Sequence, residues 1–397
     1  MITNPEAGRA LQQLGRPLRM IVTGGGTGGH TYPALTAVRT LQADLASAGA
    51  PPAEVLWIGQ ADSLEMRVAQ GDGIAFKSVA TGKIRRHANP LRMLSWSNIK
   101  DMTRVPLGVL QAWSAVGRFR PDVVLATGGY VAVPVGTAAR MRRRPLVVHE
   151  QTVRLGLTNR LLARKATRMA VSSDSTLPLL PDAARESAVV TGNPVRPEVL
   201  AGNADKGAAL LGLDRRSPTV YVTGGAQGSQ QINTLVVEIL PWLLNNGANV
   251  VHQCGPANED EIRRATASLP PAAAARYRLA GYVGPELPDI LALADVVISR
   301  SGAGTIAELT ALGKPSVLIP LASSAGGEQA HNAEHLEQAG AARALLGEVT
   351  ARQLADAVGP ILGDPARRAD MAQRARALGR PDAAAHLVHV VLTTALT

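Results

Sequence analysis

A chain of 397 residues is too long for one ordinary hydrophobic core and calls for two domains. Its single cysteine, Cys254, excludes an internal disulfide framework and fits a reducing compartment. The net charge of +10 is concentrated, because Lys83 to Arg144 holds twelve Lys and Arg against only Asp101 and Asp122. A field so localised points to an anionic partner, whether nucleic acid, a phospholipid surface or a phosphorylated substrate; the plainer alternative is a set of solvated Arg-rich faces. The first nineteen residues contain no apolar run of signal-peptide length, and no segment approaches the roughly 20 apolar residues of a membrane span, so a cytoplasmic protein is expected.

Short β-branched runs alternate with helical patterns from end to end. In order they are "RMIVTGG", "EVLWIGQ", "DVVLATGG", "PLVVHEQ", "RMAVSS", "AVVTGNP", "TVYVTGG", "NVVHQCG", "DVVISRSG" and "PSVLIP". Continuous apolar strands, each followed by a loop and a helix, indicate parallel sheets covered on both faces. The glycine-rich strand end at 22–29 is echoed at 222–228, which restarts the pattern. The predicted fold class is therefore α/β, with two Rossmann-like, doubly wound parallel-sheet domains facing each other across a cleft. The joint is placed in "TGNPVRPEV", 191–199, giving domains 1–193 and 194–379. Parallel sheets bind ligands beyond the carboxyl ends of their strands, where every glycine loop in this chain falls.

Gly24 to Gly29 formally contains G-x-G-x-x-G, but the second strand closes on Gly59-Gln60 and the first acid after it, Asp62, comes late. Nicotinamide or flavin binding is disfavoured on that ground. No G-x-x-x-x-G-K-[ST] occurs, so a P-loop is absent. The run "SRSGAGTIAELTALG", 299–313, reads as strand end, small-residue turn and helix start near Gly304–Thr305. Its amides and the positive end of the helix suit a phosphate. Glu308, one turn into the helix, either reaches a vicinal diol such as a ribose or only complements the helix dipole. His30 closes the first glycine loop. It is a candidate general base, a cap for a helix beginning at Pro33, or an acceptor-binding group. The eight histidines offer no ligand spacing beyond His331 and His335, and there is no D-x-D, so no metal cofactor is expected.

Taken together, "GGGTGGHTYPA", "ATGGYVAVP", "HEQTVRLGLTN", "TGNPVRPEVL", "YVTGGAQGSQQIN", "RSGAGTIAELTALGKPSVLIP" and "EQAHNAEHLEQAGAA" resemble the MurG-like peptidoglycan N-acetylglucosaminyltransferases, a family of GT-B glycosyltransferases. The resemblance spans about residues 19–385. It implies inverting, metal-independent transfer of N-acetylglucosamine from UDP-GlcNAc to a muramyl-pentapeptide on pyrophosphoryl-undecaprenol, at the cytoplasmic membrane face. It assigns the first domain to acceptor and membrane, the second to the UDP-sugar, and a C-terminal helix, about 380–397, to packing back on the first. Thr27, Gly28 and Gly29 would face acceptor and donor, with His30 as base or acceptor-binding residue. Arg196 would meet the diphosphate, the Val283 backbone would hold uracil, and Gln329 would read sugar hydroxyls. Ala303, Gly304, Thr305, Ile306, Ala307 and Glu308 would hold phosphate and ribose.

Two positions depart from the family pattern. Thr152 stands where the family usually has Asn, and Ala226-Gln227-Gly228-Ser229 where it usually has Ser-Gln-Gly-Ala. Ala226 cannot donate a hydroxyl to phosphate, and Ser229 is the candidate to replace it. These departures leave a relative that uses another nucleotide sugar or glycosylates a natural-product acceptor as the alternative. Within the basic stretch, residues 83–104 interleave Lys and Arg with Ile84, Leu91, Met93, Leu94 and Trp96, a pattern suited to an anionic leaflet. The stretch lacks the aromatic interleaving of a single-strand nucleic-acid binder, so a nucleic-acid partner is not expected.

Overall fold

The structure is a computed structural model that describes residues 15–82 and 96–396, with 96–103 and Ala325 followed through their backbone alone. The chain forms two compact units. One comprises the residues up to Pro194 together with those from Asp382 onward; the other is Val195–Pro381.

The first unit is built on a seven-stranded sheet of β1 (Arg19–Gly24), β2 (Glu54–Gly59), β3 (Ala75–Ser78), β4 (Val123–Gly128), β5 (Leu146–Glu150), β6 (Arg168–Val171) and β7 (Ala188–Val190). All pairings are parallel, in the order β3-β2-β1-β4-β5-β6-β7. Side chains alternate across β1. Met20 and Val22 pack with Leu35, Val38 and Leu41 of helix α1 (Gly28–Ser47), whereas Ile21 joins the cluster holding Ala112 and Val116 of α2 (Trp96–Phe119) and Val135 of α3 (Ala132–Met141). Both faces are thereby covered, as continuous apolar strands require. The C-terminal helix, Ala383–Ala395, lies on the α1 side and contributes Leu387, Val388 and Val391 to that core.

The second unit repeats the plan with six parallel strands: β8 (Thr219–Thr223), β9 (Asn249–Gln253), β10 (Tyr277–Ala280), β11 (Val296–Ser299), β12 (Ser316–Leu318) and β13 (Ala342–Ala344). Their order is β10-β9-β8-β11-β12-β13. Val220 and Val222 pack with Ile232, Val236 and Ile239 of α4 (Gln230–Asn245), while Tyr221 faces the opposite cluster with Leu309 of α5 (Ala303–Leu312). Each fully buried Val or Leu adds roughly 1.5–3 kcal/mol of apolar burial. These two Rossmann-like units put four glycine-rich loops at carboxyl ends of strands, after β1, β4, β8 and β11.

Helix α1 begins at Gly28, not at Pro33, with Thr27 as its N-cap. His30 is the third residue of the helix, which removes the capping role. The helix starts early because the Thr27 carbonyl already accepts from His30 N (3.3 Å) and Thr31 N (3.2 Å). Pro33 sits in the second turn, where its missing N–H leaves the Gly29 carbonyl without its usual partner. No helix of the described residues is long and apolar enough to cross a membrane. The segment at 83–95, which holds most of the basic-apolar stretch, lies outside the described residues, as do the side chains of 96–103.

Candidate active site

The loop after β8 turns through Gly225 (φ 88°) and Gly228 (φ 74°), a backbone region open to glycine. A Cβ on Gly228 would stand 1.8 Å from the Cys254 carbonyl oxygen, so the loop passes hard against the end of β9. Ser229 then caps α4, its Oγ accepting from Ile232 N at 3.3 Å. The same Oγ accepts from Arg300 Nη2 at 2.8 Å. Arg300 comes from the end of β11 and is held from behind, its Nη1 donating to Gln231 Oε1 and to the Ile319 and Pro320 carbonyls, each at 2.9 Å. Burial lowers its pKa from the ordinary value, and an arginine stays charged regardless. Its Nε–H and second Nη2–H have no partner among the described residues.

One residue beyond Arg300 and Ser301, Gly302 caps α5 without a side-chain bond. The amides of Ala303, Gly304 and Thr305 find no acceptor in the described protein, as helix starts demand of their first N–H groups. Ser229, Gln230, Gln231, Arg300, Gly302 and Thr305 line a single cavity of about 470 Å³ with Gln329 at its side. Two helix N-termini and a pinned guanidinium thus converge on one space, which favours a multiply charged anion. Gln329 Oε1 accepts from Leu321 N at 3.0 Å, which leaves its Nε2 free to donate. Glu308 lies on the next turn of α5 and is half-buried. Its Oε1 takes two bonds from Arg196, from Nε at 3.1 Å and Nη2 at 2.8 Å, while Oε2 has no protein donor. Ala226 lies in the β8 loop and Val283 in the loop after β10, with the Val283 side chain buried; neither lines this cavity.

The first glycine loop is arranged differently. Glu65, 1 % exposed, accepts from Gly26 N (3.1 Å) and Gln60 N (3.2 Å). Its carboxyl carbon sits 2.2 Å from where a Cβ on Gly25 would be. The chain's own carboxylate therefore fills part of the anion cradle after β1. At the edge of that loop, His30 Nδ1 is 3.0 Å from Gln151 Oε1. Gln151 follows β5, and β4 lies between the two strands. The gap is open because the β4 loop is Gly128 (φ 109°) and Gly129 (φ 81°); a Cβ on Gly128 would lie 3.0 Å from the His30 ring. Gln151 Nε2 reaches His149 Nδ1 (3.1 Å) and the His149 carbonyl (3.0 Å), and His149 Nε2 reaches the Gly192 carbonyl (2.9 Å). Burial pulls the fully buried His149 down to about 4, against the pull of its bond to Gly192, so it is neutral near pH 7.

The Thr152 hydroxyl is turned inward, toward Glu150 Oε1 and the Arg154 carbonyl, and the residue is 7 % exposed. It braces the loop around buried Glu150, which also accepts from Gly156 N (2.9 Å) and Asn159 Nδ2 (3.0 Å). The sequence reading missed Arg300, Gln231, Glu65, His149 and Gln151 as site residues. Arg300 had a signal, a lone cation inside a small-residue loop at a strand end. Among the described residues, no three His, Cys, Asp or Glu are grouped to hold a metal ion.

Comparison with known proteins decides the family. Residues 20–171 match the glycosyltransferase family 28 N-terminal domain and residues 219–387 its C-terminal domain. The chain is a family 28 glycosyltransferase. This transferase is 38 % identical to a Bacillus cereus protein over 85 % of its own length and 89 % of that protein's. It is 33 % identical to one from Halothermothrix orenii over 95 % and 99 %. Both relatives are named UDP-N-acetylglucosamine–N-acetylmuramyl-(pentapeptide) pyrophosphoryl-undecaprenol N-acetylglucosamine transferases. The transferase shares its fold with the crystal structure of Acinetobacter baumannii MurG, with a TM-score of 0.72 at 24 % identity over 95 % of this chain and all of that one.

Proposed function

We propose that the transferase moves N-acetylglucosamine from UDP-GlcNAc to a muramyl-pentapeptide carried on a polyprenyl pyrophosphate, with inversion and without a metal. The observation that carries this reading is the cavity where α4, α5 and Arg300 converge, because the diphosphate of a UDP-sugar carries two negative charges and gains a third as UDP leaves. Fixed amides and a guanidinium aimed at that charge stabilise it most as the sugar–phosphate bond breaks. The relatives' substrates support the identity of donor and acceptor.

In this reading Ser229, Thr305 and the amides of Ala303 to Thr305 hold the diphosphate, while Ile306, whose amide donates to the Gly302 carbonyl, and Ala307 continue the helix that carries them. Glu308 Oε2 accepts from the ribose, with Arg196 orienting the carboxylate and turning its open Nη1 toward phosphate. The Val283 backbone pairs with uracil and Gln329 Nε2 with the sugar. On the first unit, Thr27, Gly28 and Gly29 meet the acceptor. His30 takes the proton from the acceptor hydroxyl as its oxygen bonds to the anomeric carbon; the electrons of the breaking C–O bond leave with the UDP β-phosphate. The basic-apolar segment 83–104 holds the enzyme on the cytoplasmic leaflet as a peripheral protein.

The test is incubation of the enzyme with labelled UDP-GlcNAc and a short-chain lipid-linked muramyl-pentapeptide in the presence of chelator. Labelled disaccharide–lipid is the expected product. Its absence, with turnover of another nucleotide sugar or acceptor, would reassign the substrates, and a strict need for Mg²⁺ would overturn the mechanism.

A further inference from the structure

We propose that Gln151 is a positioning residue that sets the tautomer of His30, keeping the proton on Nδ1 and the Nε2 lone pair open. The role of His30 as base belongs to the functional reading above; the tautomer assignment rests on the hydrogen-bond chain alone.

The chain has one consistent direction. A backbone carbonyl can only accept, so the Gly192 oxygen requires a proton on His149 Nε2. His149 is neutral, held at about 4 by burial, so its Nδ1 carries no proton and can only accept. Gln151 must therefore present its NH₂ to His149 Nδ1, and the same nitrogen faces the His149 carbonyl, a second obligatory acceptor. Both amide hydrogens are then committed. With the amide oriented this way, Oε1 is the atom 3.0 Å from His30 Nδ1, and the imidazole has to donate there. Neutral His30 is left with an unprotonated Nε2, which has no partner among the described residues.

The packing makes this orientation hard to reverse. His149 and Gln151 are 0 % and 4 % exposed, so no bulk water is at hand to satisfy a flipped amide. Turning the amide over would set its oxygen against two acceptors, the His149 carbonyl and the unprotonated His149 Nδ1. The groups facing His30 are the Gln151 amide, the paired glycines Gly128 and Gly129 and, from β4, Thr127, whose hydroxyl donates to the His30 carbonyl at 2.8 Å. A glutamine serves here in place of a carboxylate: it orients the base without adding a charge next to it.

The experiment is ¹⁵N NMR of histidine-labelled full-length protein, in which protonated and unprotonated ring nitrogens resonate far apart; His30→Gln supplies the assignment. Wild type should show Nδ1–H at His30 above the imidazole titration range. Gln151→Met should lose that preference and lower kcat by ten-fold or more, with the donor KM changed less than about two-fold, since a positioned base contributes roughly 10²–10⁴. Gln151→Glu keeps an acceptor at Oε1 and should retain Nδ1–H. It also serves if the Met variant fails to fold. Wild-type His30 protonated at Nε2, or an Nδ1–H state that survives in Gln151→Met, would overturn the proposal. A tautomer that follows residue 151 while His30→Gln keeps full turnover would support the positioning and remove His30 from the reaction instead.

Discussion

Acid should weaken the second unit by an amount that can be worked from one buried imidazole. His252, at the end of β9, is fully enclosed, with Nε2 3.0 Å from Asn233 Oδ1 and Nδ1 3.0 Å from the Tyr277 hydroxyl. Asn233 Nδ2 donates to the Cys254 carbonyl, which makes Asn233 Oδ1 an acceptor and His252 an Nε2–H donor. Burial lowers its pKa from 6.5 to about 4. The unfolded chain thus takes up a proton that the folded one refuses. The stability that depends on neutral His252 is present above pH 6.5 and is lost as pH falls toward 4. At pH 5 the unfolded imidazole has gained about 1.5 pH units of protonation free energy, or about 2 kcal/mol, while the folded one has gained almost none. A domain stable by 5–15 kcal/mol would feel that loss. Urea titrations at pH 7 and pH 5, on wild type and on His252→Gln, isolate the contribution from all other titrating groups. Wild type should lose about 2 kcal/mol more than the variant over this interval. Equal losses in both proteins would refute the assignment of a neutral, buried imidazole.

Other outcomes follow from the same geometry. Arg300→Met should raise the donor KM by about ten- to a hundred-fold, the worth of charge-assisted bonds to an anion, measured by initial rates against UDP-GlcNAc concentration. Gly24→Ala places a Cβ 1.8 Å from Thr127 Oγ1, so the Thr127–His30 carbonyl bond must give way. Thermal melting should show a loss of about 1–3 kcal/mol. Lys314 is half-buried with Nζ donating to the Ala292 and Ala294 carbonyls, and desolvation lowers its pKa to about 8. The unfolded chain holds that proton up to 10.5, so stability should rise with pH between 8 and 10, and Lys314→Met should flatten the rise.

Much of the fold was legible because ten of the thirteen strands are continuous apolar runs ending in loops. The three that escaped, β3, β10 and β13, are all edge strands. An edge strand is covered on fewer sides, and "AFKS" and "ARA" carry polar or exposed positions where a central strand has Val or Ile. The start of α1 was misread because proline was taken as a first-turn residue, whereas it sits one turn inside. The phosphate-holding character of 299–308 was readable from glycine, strand end and helix start, all of which are local. What escaped was long-range. Glu65 meets Gly26 across 39 residues and Gln151 meets His30 across 121, and only the strand order β2-β1-β4-β5 brings those pairs together. Ser229 was legible as a hydroxyl near phosphate, but not as the helix cap that Arg300 also holds.

The contrast between the two glycine loops, one filled by Glu65 and the other open beside Arg300, is the point on which the account turns. A crystal structure of the transferase with UDP, grown in chelator, measures it directly. The account predicts the β-phosphate within hydrogen-bond reach of the Ala303–Thr305 amides, Ser229 and Arg300, with Glu65 still bonded to Gly26. A nucleotide seated on the loop after β1 with Glu65 displaced, or UDP that binds only when a divalent cation bridges its oxygens, would contradict it.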